Sequence, residues 1–440
     1  MGSYVANTTA EQQSMLTAAG FSRMEDLFAD IPEAVRLRDG LALPAGKSEL
    51  EVGRLLEAMA ARNTAYRRIL RGAGAYHHYI PAIVKSVTGK EEFMTAYTPY
   101  QAEISQGLLQ AIFEFQTMIC ELTGMDVANA SVYDGATAAA EAAAMCRERK
   151  KKNVVCVSAT MHPQVIDVIR TYCFGSGSEV VLIPEQNGLT DTAALQQSLT
   201  AEVSCFIVQQ PNYYGNLEPA AELGRMAHAA GAKYVMSINP IAAALMPTPA
   251  ECGADVAVGD GQPLGLPLGM GGPYLGFMTA TRAMMRKLPG RLVGETKDAD
   301  GQRAYVLTLQ AREQHIRREK ASSNICSNQE WCALTAAVYL AAMGPDGLQE
   351  TARQCAAKAH YLQQALADVG LAKKYPGEFF HEFVTRSEIP AADVLKALEQ
   401  KGILGGLPLS GQDILWCATE MNTKAELDET ARLVGEVCRR

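Results

Sequence analysis

Hydrophobic positions in the middle of the chain alternate between two spacings. Short apolar runs, which are typical of buried strands, alternate with segments in which apolar residues recur at helical spacing. The predicted elements are helix 135–148, strand 154–158, helix 163–173, strand 180–184, helix 191–199, strand 203–209, helix 219–230 and strand 233–237. Such repeated units predict an α/β fold with a doubly wound, mostly parallel sheet and right-handed crossovers.

The flanking patterns predict three domains. Capping-box patterns at Thr9-Ala10-Glu11-Gln12 and Ser48-Glu49-Leu50-Glu51 begin helices in residues 1–65, which we interpret as a helical arm. An amphipathic helix over 103–124 opens the α/β region, so residues 66–344 form the predicted large domain. Gly344-Pro345 ends a long apolar helix, and the strands and helices that follow predict a small α/β domain over 345–440.

Composition limits the possible functions. The net charge of −8 argues against a nucleic-acid partner, because phosphate neutralisation needs clustered Lys and Arg. The eleven cysteines are scattered singly, which is typical of reduced core thiols, and no secretory or membrane-spanning pattern is present, so we expect a cytoplasmic protein. The seven histidines, including His77-His78, lack metal-ligand spacing, and the sequence therefore predicts no metal site.

Three stretches are specific enough to indicate a family. They are 94–107, which contains Tyr97-Thr98-Pro99-Tyr100-Gln101; 209–215, with Gln209-Gln210-Pro211-Asn212-Tyr213-Tyr214-Gly215; and 317–326, which contains Arg318-Glu319-Lys320-Ala321-Ser322-Ser323-Asn324. The chain resembles the glycine cleavage system P-protein family along its length. The resemblance covers the N-terminal half of the long one-chain form, which is a separate subunit 1 where the protein is split. It implies the aspartate-aminotransferase-like fold type I of pyridoxal-phosphate enzymes, in agreement with the doubly wound sheet and small C-terminal domain.

The residues that hold the cofactor in catalytic members of this fold type are replaced here. The phosphate normally lies at a helix N-terminus, and the corresponding turn appears as Asp134-Gly135-Ala136-Thr137, whose carboxylate would repel a dianion. The strand residue that normally carries an acid opposite the pyridine nitrogen is replaced at Ser237 and Asn239. The lysine position falls on Gln262-Pro263, and residues 253–277 contain no lysine. The sequence therefore predicts that this chain does not hold the cofactor.

The resemblance then implies a role at a shared site. The resemblance implies that this chain forms a heterodimer with a lysine-bearing subunit 2 and that the heterodimers assemble as α2β2. It further implies that the complex decarboxylates glycine with pyridoxal phosphate and transfers the aminomethyl group to the lipoyl arm of H-protein. From this chain, Tyr97, Thr98, Tyr100 and Gln101 would line the glycine end of the site. Ser322, Ser323 and Asn324, with the charges of Arg318 or Lys320, would contact the partner's cofactor phosphate.

Two alternatives remain open at this point. The chain is a scaffold or regulatory subunit whose loops carry no catalytic weight, or it is a stand-alone pyridoxal-phosphate decarboxylase that uses another lysine, such as Lys85 or Lys320.

Overall fold

The computed structural model describes residues 6–37, 39–95, 98–148 and 151–439. The chain divides into two compact units, Met1–Thr64 and Ala65–Arg440. The predicted division of the second unit at Gly344-Pro345 stays a prediction. No helix within the described ranges is both long and apolar enough to cross a membrane.

The first unit consists of two α-helices, Thr9–Ala18 and Glu49–Ala60, and two 3₁₀ turns, Met24–Phe28 and Glu33–Val35. Both helices begin with capping boxes. The first box joins Thr8 to Glu11, one residue earlier than the sequence pattern predicted, and the second joins Ser48 to Glu51. Within the described part of this unit Leu16 is the one buried residue, and the helix Glu49–Ala60 leaves its apolar side chains exposed.

A seven-stranded sheet forms the centre of the second unit. Its strands, in chain order, are β1 (Val127–Ala128), β2 (Val154–Ser158), β3 (Glu179–Ile183), β4 (Val203–Gln210), β5 (Lys233–Ile238), β6 (Val256–Asp260) and β7 (Gly276–Ala280). Their order across the sheet is β1-β7-β6-β5-β4-β2-β3. All neighbouring pairs from β6 to β3 are parallel, and β7 is antiparallel to both of its neighbours. The predicted doubly wound α/β fold is confirmed.

Helices cover both faces of this sheet, and each face buries its own apolar cluster. The helix Gly135–Cys146 packs on one face through small residues such as Ala138, Ala139 and Ala142, which are fully buried and let it approach β6 closely. The other helices of this region are Ala82–Thr88, Glu91–Met94, Gln106–Thr123, Pro163–Ser176, Thr192–Ser198 and Ala220–Ala229, with 3₁₀ turns at Ala242–Ala244 and Met285–Lys287. A short strand pair, Glu185–Gln186 with Leu189–Thr190, follows β3.

The charged stretch 282–324, which the sequence pattern left unassigned, contains an antiparallel hairpin of Val293–Lys297 with Arg303–Leu307. After the hairpin the chain forms only short turns of helix, namely Gln310–Arg312, Gln314–Arg317 and Arg318–Lys320. Met284, Leu288 and Leu292 are buried in the apolar cluster of the helix Gly135–Cys146, and Val293 and Tyr305 in that of the helix Gln106–Thr123, so the shape of this stretch depends on contacts with other segments.

The C-terminal part begins with the helical segment Glu330–Ala367, which is broken at Gly344, whose φ is +62°. Glycine adopts this left-handed conformation without a steric penalty, as the Gly-Pro pattern predicted. A four-stranded antiparallel sheet follows, in the order Ala372–Lys373, Glu382–Arg386, Asp413–Cys417 and Leu407–Pro408. Helices Ala391–Glu399 and Lys424–Cys438 accompany it, and Ile403–Leu404 pairs with Arg68–Ile69.

Candidate functional site

A crevice lies at the carboxyl ends of the parallel strands, where α/β proteins bind their ligands. We call it the sheet crevice. Its lining includes the ends of β4, β5 and β6 at Gln209, Ser237 and Asp260, and it is closed by residues 73–76 and the start of helix Gly135–Cys146. Its volume is about 340 Å³, which is large enough for a small ligand.

Two carboxylates occupy the helix N-terminus that faces this crevice. Asp134 is the N-cap, and its Oδ1 accepts a hydrogen bond of 2.7 Å from the backbone N–H of Thr137. Asp260 Oδ2 accepts a second bond, of 2.9 Å, from the N–H of Gly135. A Cβ at Gly135 would lie 2.8 Å from the backbone nitrogen of Asp260, so glycine permits the close approach. Two of the backbone donors that would bind a phosphate, those of Gly135 and Thr137, are therefore already engaged by carboxyl side chains.

Asp260 was missed by the sequence analysis, although it ends a buried apolar strand. Its other oxygen, Oδ1, accepts a bond of 2.9 Å from the N–H of Gln262. Burial raises the pKa of the Asp260 carboxyl to about 6, and the nearby Asp134 carboxylate adds to the rise. Both carboxyls therefore occupy the position where a phosphate would need positive potential.

The other replaced positions also lack the charged side chains that would hold pyridoxal phosphate. Ser237 lies in β5 and lines the crevice with a side chain that carries no charge, and Pro263 lines it as well. The buried amide of Gln262 is used within the protein: its Nε2 donates to the carbonyls of Tyr76 and Leu266 at 3.0 and 2.8 Å, and its Oε1 accepts from the N–H of Tyr76 at 2.8 Å. The predicted lysine position is thus a structural link to residues 73–76.

No lysine or arginine among the described residues lines the sheet crevice. Lys85 and Lys320 are both exposed and neither lines it. The side-chain amide nitrogen of Asn239 is buried beside the crevice without a hydrogen-bond partner, while its oxygen caps the turn at Ile241 and Ala242. With carboxylates at the phosphate position and no amine, the residues of this crevice do not fit pyridoxal phosphate.

The stretch 97–101, which we call the tyrosine loop, is described from Thr98 onward and lies elsewhere, with Tyr100 beside Arg291 and Asn328. Tyr97 lies outside the described residues, and Thr98 and Gln101 are exposed. The hydroxyl of Tyr100 donates to the side-chain oxygen of Asn328, and burial raises the pKa of Tyr100 to about 12. Asn328 in turn donates to Ser131 Oγ at 2.9 Å. Tyr100 is thus held by the protein, whereas its neighbours Thr98 and Gln101 face solvent.

Arg291 joins this loop to the segment that precedes residues 318–324, and sequence reasoning missed it. Its guanidinium lies 4.6 Å from the centre of the Tyr100 ring, and its Nη1 donates to Glu313 Oε2 at 2.6 Å. The side chains of Arg291 and Glu313 are only 15% and 6% exposed, so this ion pair is largely buried. No local pattern identifies it, because the three residues come from distant parts of the chain.

Residues 318–324, which we call the donor segment, line a second cavity of about 270 Å³. Arg318, Ser322, Ser323 and Asn324 all contribute to its wall, whereas Lys320 does not. Arg318 has φ +54° and ψ −127°, a conformation that is strained for a residue with a side chain and is found mostly at functional positions.

The buried Glu141 forms part of the same cavity. Ser323 Oγ donates to its Oε1 at 2.9 Å, and burial raises the pKa of the Glu141 carboxyl to about 7. Ser322 and Asn324 remain exposed beside it, and so does Arg318. The structure therefore places Arg318, Ser322, Ser323 and Asn324 around one cavity together with Glu141, which the sequence analysis missed. Their contact with a partner's cofactor phosphate stays a prediction.

The fold relates the chain to a known class of enzymes. Alanine–glyoxylate aminotransferase from Nostoc superimposes with a TM-score of 0.59 at 16% identity, over 92% of this chain and 100% of that one. With the seven-stranded sheet and its flanking helices, this identifies the fold as type I of the pyridoxal-phosphate-dependent transferases.

Comparisons at higher identity define the family. The family model described as glycine cleavage system P-protein matches residues 2–434, and the chain belongs to this family. It is 51% identical over 432 residues to the probable glycine dehydrogenase (decarboxylating) subunit 1 of Moorella thermoacetica, covering 97% of each chain. A crystal structure of glycine decarboxylase (P-protein) of the glycine cleavage system, in inhibitor-bound form, superimposes with a TM-score of 0.92 at 41% identity, over 99% of this chain and 100% of that one.

Proposed function

We propose that this chain is the half of a two-subunit glycine decarboxylase that does not bind the cofactor, and that it completes an active site held by a lysine-bearing subunit 2. The observation that carries the proposal is the filled helix N-terminus, where Asp134 and Asp260 accept the hydrogen bonds that a cofactor phosphate would need. A chain that retained its own cofactor would keep those donors free.

Charge gives the second support. The sheet crevice presents two carboxylates and no lysine or arginine among the described residues, so a phosphate dianion would enter a negative potential. His162 also lines it, but burial lowers the pKa of this histidine and so disfavours a charged imidazole. The stand-alone alternative requires a lysine from another part of the chain to reach the crevice. Both candidates, Lys85 and Lys320, are exposed and do not line it. Pyridoxal phosphate in the complex, which would supply the electron-withdrawing ring for decarboxylation, then belongs to the partner.

The donor segment is the part of this chain that we expect to face the partner's cofactor. Ser322 and Asn324 are exposed and offer hydroxyl and amide donors, and Arg318 adds positive charge beside them. Such donors bind phosphate through charge-assisted hydrogen bonds. Lys320 is exposed and outside the shared cavity, so we assign it a long-range electrostatic contribution.

The tyrosine loop would close the glycine end of the same site. Thr98 and Gln101 are exposed and free to contact substrate or partner, together with Tyr97. Tyr100 is engaged by Asn328 and Arg291, so its contribution is to hold the loop in position and to exclude water around the substrate. Because Arg291 also binds Glu313, it would hold the loop to the segment that precedes the donor segment.

The assembly we propose is α2β2, with glycine as the substrate and the lipoyl arm of H-protein as the acceptor of the aminomethyl group. Activity would appear only in the complex with subunit 2. The eleven cysteines are all unpaired in the structure, which supports a reducing, cytoplasmic location.

Borohydride reduction tests this proposal, because it fixes the cofactor covalently to the lysine that carries it. The chain alone and the complex with subunit 2 are reduced, and the modified peptide is mapped by mass spectrometry. We expect a colourless lone chain and a label on subunit 2 only. A labelled lysine in this chain would establish the stand-alone alternative instead.

The scaffold alternative is tested separately in the reconstituted complex. It predicts that Asn324→Ala and Thr98→Ala leave glycine decarboxylation unchanged, whereas the shared-site proposal predicts a loss of activity in both variants.

A further inference from the structure

A third group of chemically reactive side chains lies outside the sheet crevice and the donor segment. It combines His78, from the loop before helix Ala82–Thr88, with Cys355, from the second part of the helical segment Glu330–Ala367, and Glu420, which follows strand Asp413–Cys417. His78 Nδ1 lies 2.8 Å from Glu420 Oε2, and Cys355 Sγ lies 3.2 Å from the same oxygen. Three segments that are distant in sequence thus present an imidazole, a thiol and a carboxylate to one point.

The geometry of this group is close to that of a metal site. One ligand-type atom from each residue lies within 4.8 Å of the others. Around a tetrahedral zinc ion with metal–ligand bonds of roughly 2.0–2.3 Å, ligand atoms lie about 3.3–3.8 Å apart, so only small movements would be needed. The side chains of His78 and Glu420 are 3% and 14% exposed, and Cys355 is fully buried.

Unsatisfied imidazole nitrogens beside the group give an independent indication of a bound ligand. His78 Nε2 is buried without a hydrogen-bond partner, and so are both ring nitrogens of His381. His381 is only 2% exposed, and its ring centre lies 6.4 Å from that of His78. Buried polar atoms are nearly always paired. The unpaired ring nitrogens of His78 and His381 are therefore available to bind a ligand.

We propose that His78, Cys355 and Glu420 bind one divalent cation of the zinc class. A thiolate with an imidazole favours zinc over magnesium or calcium, which prefer oxygen ligands alone. On binding, the Cys355 thiol releases its proton to solvent, and the thiolate and the Glu420 carboxylate neutralise the two positive charges. The fourth ligand is water or, after rotation of its side chain, His381.

The ion would have a structural role. Glu420 Oε1 accepts from the backbone N–H of Tyr79 at 2.6 Å, and Lys358 Nζ donates to the Glu420 carbonyl at 2.5 Å, so the carboxylate is already oriented by the surrounding chain. The loop that carries His78 continues directly from residues 73–76, which form a wall of the sheet crevice. A cation at this point would fasten that wall to the helix and to the C-terminal strands.

This proposal departs from the absence of a metal site that the sequence predicts. Histidine spacing along the chain carries no information about ligands that come from three segments. It goes beyond the proposed decarboxylase function, because its three residues are not part of the cavity that the donor segment lines and the site does not depend on cofactor or partner.

Cobalt binding to the full-length chain tests the proposal without any substitution. The chain is treated with a chelator, freed of metal and titrated with Co²⁺, and the near-ultraviolet thiolate-to-cobalt charge-transfer band and the visible bands of tetrahedral cobalt are recorded. We expect saturation at one cobalt per chain and displacement by one Zn²⁺. The absence of a thiolate band would show that the group is a hydrogen-bonded network, with or without buried water, and would overturn the proposal.

Matched cysteine variants identify the ligand. Cys355→Ser should abolish the charge-transfer band, and its zinc affinity should fall by more than the roughly 10–100-fold that removal of a supporting residue costs. Glu420→Gln should weaken zinc binding while keeping the thiolate band. Cys326→Ser, at an exposed cysteine, should leave both unchanged. Loss of the band in Cys326→Ser, or its retention in folded Cys355→Ser, would contradict the assignment.

Discussion

The sheet crevice and the cavity lined by the donor segment are similar in size, but their polar groups make different contacts. In the sheet crevice the carboxylates of Asp134 and Asp260 bond the helix N-terminus, and the amide of Gln262 bonds the backbone. In the donor segment Ser322 and Asn324 remain exposed. The fold forms a cavity in each case. Whether that cavity can bind an anion depends on how many of its hydrogen-bond donors remain unpaired.

The same difference explains how a fold can lose its ligand without losing its structure. Replacing a phosphate by two side-chain carboxylates keeps the helix N-terminus satisfied, so the sheet and the helix Gly135–Cys146 retain their packing. In the shared-site proposal, we expect the chain to contribute through the donor segment instead.

The largest expected effect is on the link between the tyrosine loop and the segment that precedes the donor segment. Arg291→Ala removes the arginine partner of the buried Glu313 and leaves His315 Nδ1 at 3.5 Å from the same oxygen, so we expect the free energy of unfolding to fall by about 3–5 kcal/mol. Urea denaturation followed by fluorescence measures this change. Arg353→Ala, which removes an exposed pair with Glu350, serves as the control and should have little effect. Equal effects of the two substitutions would show that Arg291 does not join the two segments.

The next effect concerns the pH dependence of stability. The pKa of Glu141 is raised in the folded state from its ordinary value of 4.5 to about 7, so the folded protein binds more protons than the unfolded chain between these values. Stability from this group is full below pH 4.5 and is lost as the pH rises through 7, by at most about 3 kcal/mol. Glu141→Gln should flatten this decline, as measured by denaturant unfolding from pH 5 to 8. The exposed Glu121→Gln is the control, and an unchanged slope in Glu141→Gln would contradict the assignment.

A smaller effect is expected on cofactor binding in the complex. Ser322→Ala and Asn324→Ala each remove a donor to an anion, so we expect pyridoxal phosphate to bind the reconstituted complex about 10- to 100-fold more weakly. Absorbance titration of the apo complex gives the affinity. Ser237→Ala, in the sheet crevice, is the control and should leave it unchanged. If Ser237→Ala lost affinity for pyridoxal phosphate while Ser322→Ala and Asn324→Ala kept it, the sheet crevice, and not the cavity of the donor segment, would contact the cofactor.

The smallest effect is expected from reopening the sheet crevice. Asp134→Ser keeps an N-cap, so stability should change by only a few tenths of a kcal/mol to about 1 kcal/mol. Removing one carboxylate should permit inorganic phosphate to bind with a roughly millimolar Kd, and adding Asp260→Asn should strengthen it. Phosphorus NMR titration detects such binding. Phosphate binding to the unmodified crevice would contradict our account of the filled helix N-terminus.

Much of the fold could be predicted because its signals are local. Strand β2 has the predicted limits, and strands β3, β4 and β5 lie within one residue of theirs, since apolar runs and helical spacing repeat over a few residues. The stretch 282–324 could not be assigned, because its hairpin and its turns depend on contacts with other segments.

The candidate site was only partly predictable. The resemblance predicted that Arg318, Ser322, Ser323 and Asn324 contact a partner's cofactor phosphate, which stays a prediction, and the structure places these four residues around one cavity. Asp260, Arg291 and Glu141 were missed, because each acts on a partner that is remote in sequence. The proposed roles of Thr98, Tyr100 and Gln101, and that of Tyr97, remain predictions.

The sequence by itself determined the order of the elements and the lack of a lysine between residues 253 and 277, since both are properties of the chain read locally. Only the tertiary structure decided which groups satisfy the helix N-terminus, which loops Arg291 joins, and that His78, Cys355 and Glu420 meet. The physical reason is that a hydrogen bond or an ion pair depends on distances of about 3 Å. Those distances are set by how the sheet, the helices and the C-terminal strands pack, and no single stretch of sequence contains them.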